Sequence, residues 1–238
     1  MPANSRARGS SLPPGAHRSG PRDRRFDELA GSYDRREALQ GDPLEPWLRA
    51  SLPPSGATAV DLACGAGRHA AVIAERYDHV LAVDLSQQMI DLAQRRRPAG
   101  NVVYRSADLL EVDGRFDLVF CSSALHDIDD LDRALCHVRS LVAPGGTAIV
   151  ADVVGRLSPR PVWLVRLLAV MALAVDARRR PRDAAELYRL NTDPAWLEHL
   201  ASDRYLSRAE FERRYGHHFP GSEFTRASHL HVCSWQDR

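Results

Sequence analysis

Between positions 58 and 152, short apolar runs alternate with stretches in which apolar residues recur every three or four positions. Thr58-Ala-Val-Asp-Leu-Ala63 reads as a buried strand, and Arg68 to Tyr77 carries Val72, Ile73 and Tyr77 at helical spacing. Val80 to Asp84 predicts a second strand. Ser86 then caps a helix bearing Met89, Ile90, Leu92 and Ala93 that ends before Pro98. Asn101 to Arg105 and Phe116 to Cys121 predict a third and a fourth strand. Leu131 to Val142 predicts a helix stopped at Pro144-Gly145-Gly146, and Thr147 to Ala151 a fifth strand. Runs that are apolar at successive positions are buried on both faces, so the pattern predicts a parallel sheet covered by helices.

After Asp152 the rhythm changes. Pro161 to Val175 is almost unbroken in its apolarity, Asp193 caps a helix from Pro194 to Ala201, and Ser207-Arg-Ala-Glu210 is a capping box opening another. Extended segments return at Ser222 to Arg226 and at the strictly alternating His229 to Trp235, linked by Ala227-Ser228 as an antiparallel hairpin at the sheet edge. The expected organisation is a disordered basic tail over 1–21, cap helices over 22–57 and a ligand-binding core over 58–152. A helical lid over 153–216 and a C-terminal hairpin over 217–238 complete the sheet and cover the site, as long insertions in compact α/β domains commonly do.

Composition sharpens this picture at a few points. All 32 basic side chains in the 238 residues are arginine, which excludes a P-loop lysine, a Schiff-base lysine and a lysine general base. The net charge of +1 is the balance of a basic N-terminus, with six arginines and one aspartate in residues 1–25, and a mildly acidic remainder. The first residues lack a signal-peptide apolar stretch. The four cysteines, Cys64, Cys121, Cys136 and Cys233, form no Cys-x-x-Cys pair, so a zinc knuckle or disulfide framework is not indicated and a reducing, cytoplasmic setting is expected.

Open α/β sheets bind ligands at the carboxyl ends of their strands. The first strand ends in Asp61-Leu-Ala-Cys-Gly65-Ala-Gly67-Arg68 and the second in Asp84; Asp108 follows the third, and Ser122, His126 and Asp127 follow the fourth. Gly65 and Gly67 permit a sharp turn close to a ligand. Gly65-x-Gly67-x-x-Ala70 formally satisfies a dinucleotide pattern, with Asp84 placed for a ribose. A pyrophosphate, however, would sit among carboxylates with Arg68 as its sole basic neighbour, which is costly in a partly desolvated crevice. A cofactor with an ammonium, a sulfonium, a ribose and an adenine suits the same residues: Asp61 near the amino-acid end, Asp84 at the ribose hydroxyls, Asp108 at the adenine amino group. That cofactor is S-adenosylmethionine.

Val60-Asp-Leu-Ala-Cys-Gly-Ala-Gly67, Val83-Asp-Leu-Ser86, Ser106-Ala-Asp-Leu109, Phe116-Asp-Leu-Val119 and Leu141-Val-Ala-Pro-Gly-Gly146 occur in an order and spacing that resemble the class I S-adenosylmethionine-dependent methyltransferases. The segment Phe26 to Asp34 is similar to the N-terminal cap of that family's small-molecule members. The resemblance implies a Rossmann-like, mostly parallel seven-stranded sheet with the last strand antiparallel. It also implies cofactor roles for Asp61, Ala63, Gly65, Gly67, Asp84, Asp108 and Ser122, with Leu85, Met89 and Leu109 at the adenine and Tyr33 at the cofactor carboxylate.

Methyl transfer from a sulfonium needs alignment and water exclusion, and a base where the nucleophile must lose a proton. His126 is the leading candidate base, expected to titrate near neutrality, with Asp127 as its orienting partner or a substrate ligand. Trp196, His199, Leu200 and Asp203 share a helix face and are candidates to line a substrate chamber. His217, His218, His229 and His231 lack metal-ligand spacing, and no metal is expected. The acceptor is expected to be a small apolar molecule, of the kind found in specialised metabolism. Membrane-bound quinone or lipid methylation and a cyclase or binding module are the alternatives. Nucleic acid is disfavoured by the acidic body and by the absence of an Asn/Asp-Pro-Pro-aromatic motif. The 161–175 run is too short to span a bilayer. It is read as a lid helix, with a homodimer contact as a further use and a membrane-surface element as the alternative.

Overall fold

The computed structural model describes residues 21–155 and 160–237. Almost all of the basic tail expected over 1–21 lies outside them. A long helix, α1 (Pro21–Gln40), and a short one, α2 (Glu45–Ser51), lead into β1 (Gly56–Leu62). The sheet continues with β2 (Tyr77–Asp84), β3 (Val102–Ser106), β4 (Phe116–Ser122) and β5 (Val142–Val153), and the connecting helices are α3 (Arg68–Ile73), α4 (Gln87–Arg96) and α5 (Leu131–Ser140). Then come α6 (Val162–Arg179), α7 (Ala184–Asn191), α8 (Pro194–Ser202) and α9 (Arg208–His218), and the hairpin of β6 (Glu223–Ala227) and β7 (Leu230–Gln236).

The seven strands lie in the order β3-β2-β1-β4-β5-β7-β6, parallel except for β7, which runs antiparallel to both β5 and β6. The order reverses between β1 and β4, and the crevice above that switch point is where ligands bind in such sheets. Both faces of the sheet are buried, and the side chains alternate between two cores. Val60, Leu62, Val119, Cys121, Ala148 and Val150 pack with α5 and α9, through Leu135, Val138, Phe211 and Tyr215. Ala59, Leu118, Phe120, Ile149 and Ala151 pack with α2, α3 and α4, through Leu44, Leu48, Ile73 and Ile90.

Local chemistry explains where the elements start and stop. The Ser86 side chain accepts from the Met89 amide at the head of α4, Asp130 caps α5, and Ser207 and Glu210 form the reciprocal capping box of α9. Tyr77, expected at the end of the helix after β1, instead opens β2 opposite Gly56. Its ring lies where a Cβ on Gly56 would come within 2.3 Å, so the bare glycine backbone leaves room for it. The fifth strand begins at Val142 rather than Thr147, with a register irregularity between Phe116 and Leu118 absorbing Pro144-Gly145-Gly146.

The insertion after β5 also differs from expectation. α6 packs on α7 and α8, while α7 and α8 contact α1. Val165 is the buried residue of α6, and several of its large apolar side chains face outward. The cover over the strand ends comes from α1 and α8, with α6 behind them. α1 is fixed to the core by Asp27 Oδ1, which accepts from Ser86 Oγ at 2.5 Å, and by Asp34, which pairs with Arg97 at 3.4 Å.

Gly67 and Gly65 both have positive φ, +78° and +52°, but only a Cβ on Gly67 would collide with a neighbour, the Tyr104 ring at 2.7 Å. Gly65→Ala should therefore cost about 1 kcal/mol of backbone strain, and Gly67→Ala roughly 2–4 kcal/mol because steric overlap adds to the strain. Urea unfolding of the two variants checks the order; equal losses would contradict it.

Candidate active site

The carboxylate of Asp84, at the end of β2, organises the crevice. Its Oδ2 accepts from the Gly65 amide at 2.8 Å and its Oδ1 from the Ser86 amide at 2.9 Å, so one side chain holds the turn after β1 and the entry to α4. Burial pushes the carboxyl up from its ordinary pKa, and those two backbone donors work against the shift. The turn after β1 carries a second tether: Arg97 Nη1 donates to the Ala66 carbonyl at 2.5 Å.

A cavity of about 210 Å³ opens above these strand ends. Gly65, Ala63 and Asp84 form one side, Leu85 and Met89 from the start of α4 lie beside them, and Tyr33 of α1 closes over them. Asp108, Leu109 and Ser122 complete the set expected from the sequence. Asp108 Oδ1 accepts from the Leu110 amide at 2.8 Å and so fixes the short 3₁₀ turn Leu109–Glu111. Ala107, Leu110, Ser123, Ala124 and Ile128 also line the cavity and had no signal of their own in the sequence. Ala63 and Ser123 adopt φ of +56° and +55°, an uncommon state for residues with a Cβ, at the ends of the two central strands.

Two expected residues are not at the cavity wall. Gly67 serves the turn and the close approach of Tyr104. Asp61 is 1% exposed beneath the turn, and burial raises its carboxyl to about 7 even though His69 nearby favours the charged form. Its Oδ2 accepts no hydrogen bond from the described residues.

His126 and Asp127 sit on a 3₁₀ turn, Leu125–Asp127, just past β4. Asp127 lines the cofactor-sized cavity, and its carboxyl is raised by burial against the favourable charges of His126 and His199. His126 faces a second cavity of about 240 Å³ on the other side of the turn. The residue that orients it is Asp152 at the end of β5, which sequence reading had placed only as a strand boundary. Asp152 Oδ1 lies 2.5 Å from His126 Nδ1, and Asp152 Oδ2 accepts from the His126 amide at 3.1 Å; Asp127 Oδ2 is farther from the ring, at 3.8 Å. Burial by itself would lower the imidazole pKa, but the charge and hydrogen bond of Asp152, with help from Asp127 and Asp203, bring it to about 9. The expected neutral base is thus an imidazolium at pH 7, a correction that follows from a buried carboxylate at the end of the next strand in sequence order.

The helical cover meets this turn through a chain of side chains. Tyr33 packs edge-on against Trp196 with centroids 6.0 Å apart, and Trp196 packs on His199 at 5.1 Å. The buried Arg36 guanidinium stacks 3.2 Å over the Trp196 ring. His199 lies 3.7 Å from Asp203, the Tyr205 hydroxyl donates to Asp203, and the Tyr205 ring is 5.2 Å from His126. The stripe expected on one face of this helix thus lies beside the turn that carries the candidate catalytic residues. His126, Asp127 and Asp203 offer ligand atoms within 4.8 Å of one another, the spacing a cation could use, whereas the C-terminal histidines engage other partners, His218 with Asp132 at 3.0 Å among them.

The raised His126 pKa has a consequence for stability. The interaction with Asp152 favours the charged form in the fold, so its contribution is complete below the unfolded value of 6.5 and disappears as pH rises through about 9. The loss across that window should be on the order of 2–3 kcal/mol. Urea unfolding at pH 6, 7.5 and 9 should show this decline in the wild type and a flatter profile in His126→Gln; parallel profiles would contradict the pairing.

Residues 60–150 match the family model described as a methyltransferase domain. The chain is 33% identical over 153 residues to a demethylmenaquinone methyltransferase from Clavibacter sepedonicus, covering 59% of this chain and 60% of that one. It is 33% identical over 127 residues to a malonyl-[acyl-carrier protein] O-methyltransferase from Serratia marcescens, covering 52% and 49%. The chain thus spans about half to three fifths of the length of these relatives. In fold it is similar to an S-adenosylmethionine-dependent methyltransferase from Mesorhizobium loti, with a TM-score of 0.58 and 24% identity over 83% of this chain and 99% of that one. Strand order, the crevice at the switch point and the matched segment agree: residues 60–150 are similar to a methyltransferase domain, and the chain has the Rossmann-like fold of S-adenosylmethionine-dependent methyltransferases.

Proposed function

We propose that the protein transfers a methyl group from S-adenosylmethionine to an oxygen, nitrogen or carbon of a small, largely apolar organic molecule. The observation that carries this reading is the assembly, around one cavity, of Asp84, Asp108, Leu85, Leu109 and Met89 with the Asp127 turn at the edge. The fit is chemical as well as positional. Each Asp84 oxygen already accepts one backbone hydrogen bond and keeps a lone pair for a ribose hydroxyl. Asp108 is placed to accept from an adenine amino group, and Leu85, Met89 and Leu109 offer apolar surface to the base. The Tyr33 phenol, held neutral by burial and by the charge and hydrogen bond of Glu37, closes the crevice with its ring.

When bound, the cofactor supplies a methyl group on a positively charged sulfur, open to in-line displacement. What the chain contributes is alignment, water exclusion and proton handling. Tyr33, Trp196 and the buried Arg36 close one side of the site and restrict water. Asp127, a carboxylate at the cavity wall whose pKa burial raises, is the group suited to accept a proton from the acceptor. His126, charged and fixed by Asp152 at the neighbouring cavity, holds the turn that carries Asp127.

Asp84→Ala should weaken S-adenosylmethionine binding by at least about tenfold in calorimetry, corresponding to about 1.4 kcal/mol. Asp127→Asn should leave that affinity near wild type and lower the rate of methyl transfer by about 10²-fold or more. The direct test is a mass gain of one methyl group on members of a phenol, quinol and amine panel. Undiminished binding by Asp84→Ala would overturn the crevice assignment, and tight binding with no methylated product from any acceptor class would favour a binding module.

A further inference from the structure

We infer that α6 is a docking element for an anionic lipid surface, which makes the acceptor a lipid-soluble molecule. This deepens the methyltransferase reading and rests on it for the identity of the site, though the docking is measured independently. The helix is apolar on nearly every side, yet among the described residues Val165 is the only one of its side chains that is buried. Trp163 is 67% exposed, Met171 61% and Leu167 48%; with Val170 they follow the spacing of a single helical stripe. Leu168 and Val175 widen it. Proteins in water rarely leave contiguous apolar surface of more than a few hundred Å² uncovered unless it meets a partner.

Charge identifies the partner. Residues 160–182 contain six arginines and a single aspartate, whereas the rest of the chain from residue 26 onward is net acidic. Arg178 and Arg179 are exposed in the last turn of α6, and Arg182 is exposed just beyond it. A stripe of Trp, Leu and Met flanked by arginines matches the two components of an anionic bilayer, an acyl layer beneath negative headgroups. A second copy packed in parallel along this stripe would bring the same arginines face to face and would have to offset their repulsion. No helix among the described residues is long and apolar enough to cross a membrane, so the mode is attachment to the surface.

The helix is joined to the candidate site at both its start and its inner face. Arg160, just before it, stacks 5.0 Å over the Tyr205 ring, and Tyr205 packs on His126. The inner face packs on α8, which carries Trp196 and His199. An acceptor dissolved in the bilayer would therefore reach the site beside the element that docks. This arrangement explains how a helix with no polar face is retained on the outside of the fold.

The experiment is co-sedimentation of the full chain with vesicles of phosphatidylcholine alone and of phosphatidylcholine with 30% phosphatidylglycerol, at low and at 0.5 M salt. The wild type should partition to the anionic vesicles with a blue shift of tryptophan emission, and the bound fraction should fall at high salt. Leu167→Glu/Met171→Glu should abolish sedimentation, and Trp163→Phe should remove the blue shift while sedimentation persists. Arg178→Gln/Arg179→Gln should lower partitioning to the anionic vesicles by about fivefold per arginine. Calorimetric affinity for S-adenosylmethionine should be unchanged in all of these variants; it reports on the fold and the cofactor crevice, so failure of docking and failure of the methyltransferase reading remain separable. Absence of wild-type sedimentation with both vesicles, sedimentation undiminished in Leu167→Glu/Met171→Glu, or a dimer in light scattering that this variant dissociates would each overturn the inference.

Discussion

Two backbone amides, those of Gly65 and Ser86, point at the two oxygens of one half-buried carboxylate, Asp84, and the crevice takes its shape from that arrangement. Partial withdrawal of a carboxylate from water is tolerable because each oxygen is hydrogen-bonded. In return it pins two loops whose conformations are otherwise unfavourable. Gly65 and Ala63 both lie at positive φ, and Ser86 must stay in place to cap α4. Loss of the carboxylate would release the turn after β1 and the first turn of α4 together. The spacing of the cavity walls is thus set by an interaction made before any ligand arrives, which is what preorganisation requires.

A second carboxylate plays the corresponding part on the other side of the switch point. Asp152 joins the end of β5 to the turn after β4 through both the ring and the amide of His126. The imidazole is held charged, and Asp127 is the neighbour that reaches the cavity, which is why the proton-accepting role is proposed for it. Around them Asp203, His199 and Tyr205 bring further polar groups from the helical cover, so this side of the crevice is more densely charged than the side lined by Leu85, Met89 and Leu109. The division suits a reaction in which the donor is bound by shape and a few acceptors while the acceptor molecule must have its charge managed.

What was legible in the sequence follows from how local the causes are. Strand ends, caps and the glycine turn are written in residues close together, so Asp84, Asp108, Gly65, Leu85, Met89 and Leu109 could be placed at one cavity before any coordinates. Asp152 could not be distinguished from an ordinary strand end, because its significance depends on β5 lying beside β4 in register, with Ser122 opposite Ala151. The protonation state of His126 was misjudged for the same reason. Tyr77 fits a helical period and a strand equally well, and Gly56, twenty-one positions earlier, decides between them. For α6 the sequence showed that a partner was needed, but whether that partner was the rest of the chain depended on how α1, α7 and α8 pack. Among the described residues, most of its large apolar side chains stay exposed.

The central claim is that one crevice, above the carboxyl ends of β1 to β4, receives the methyl donor with its reactive end toward the Asp127 turn. Amide chemical shifts followed during titration with S-adenosylhomocysteine test it most directly. Perturbations should concentrate at Gly65, Leu85, Leu109 and Ser123 and extend to Asp127, with the amides of α6 and α9 little changed. Saturable binding whose perturbations centre elsewhere and spare Gly65 and Leu85 would contradict it.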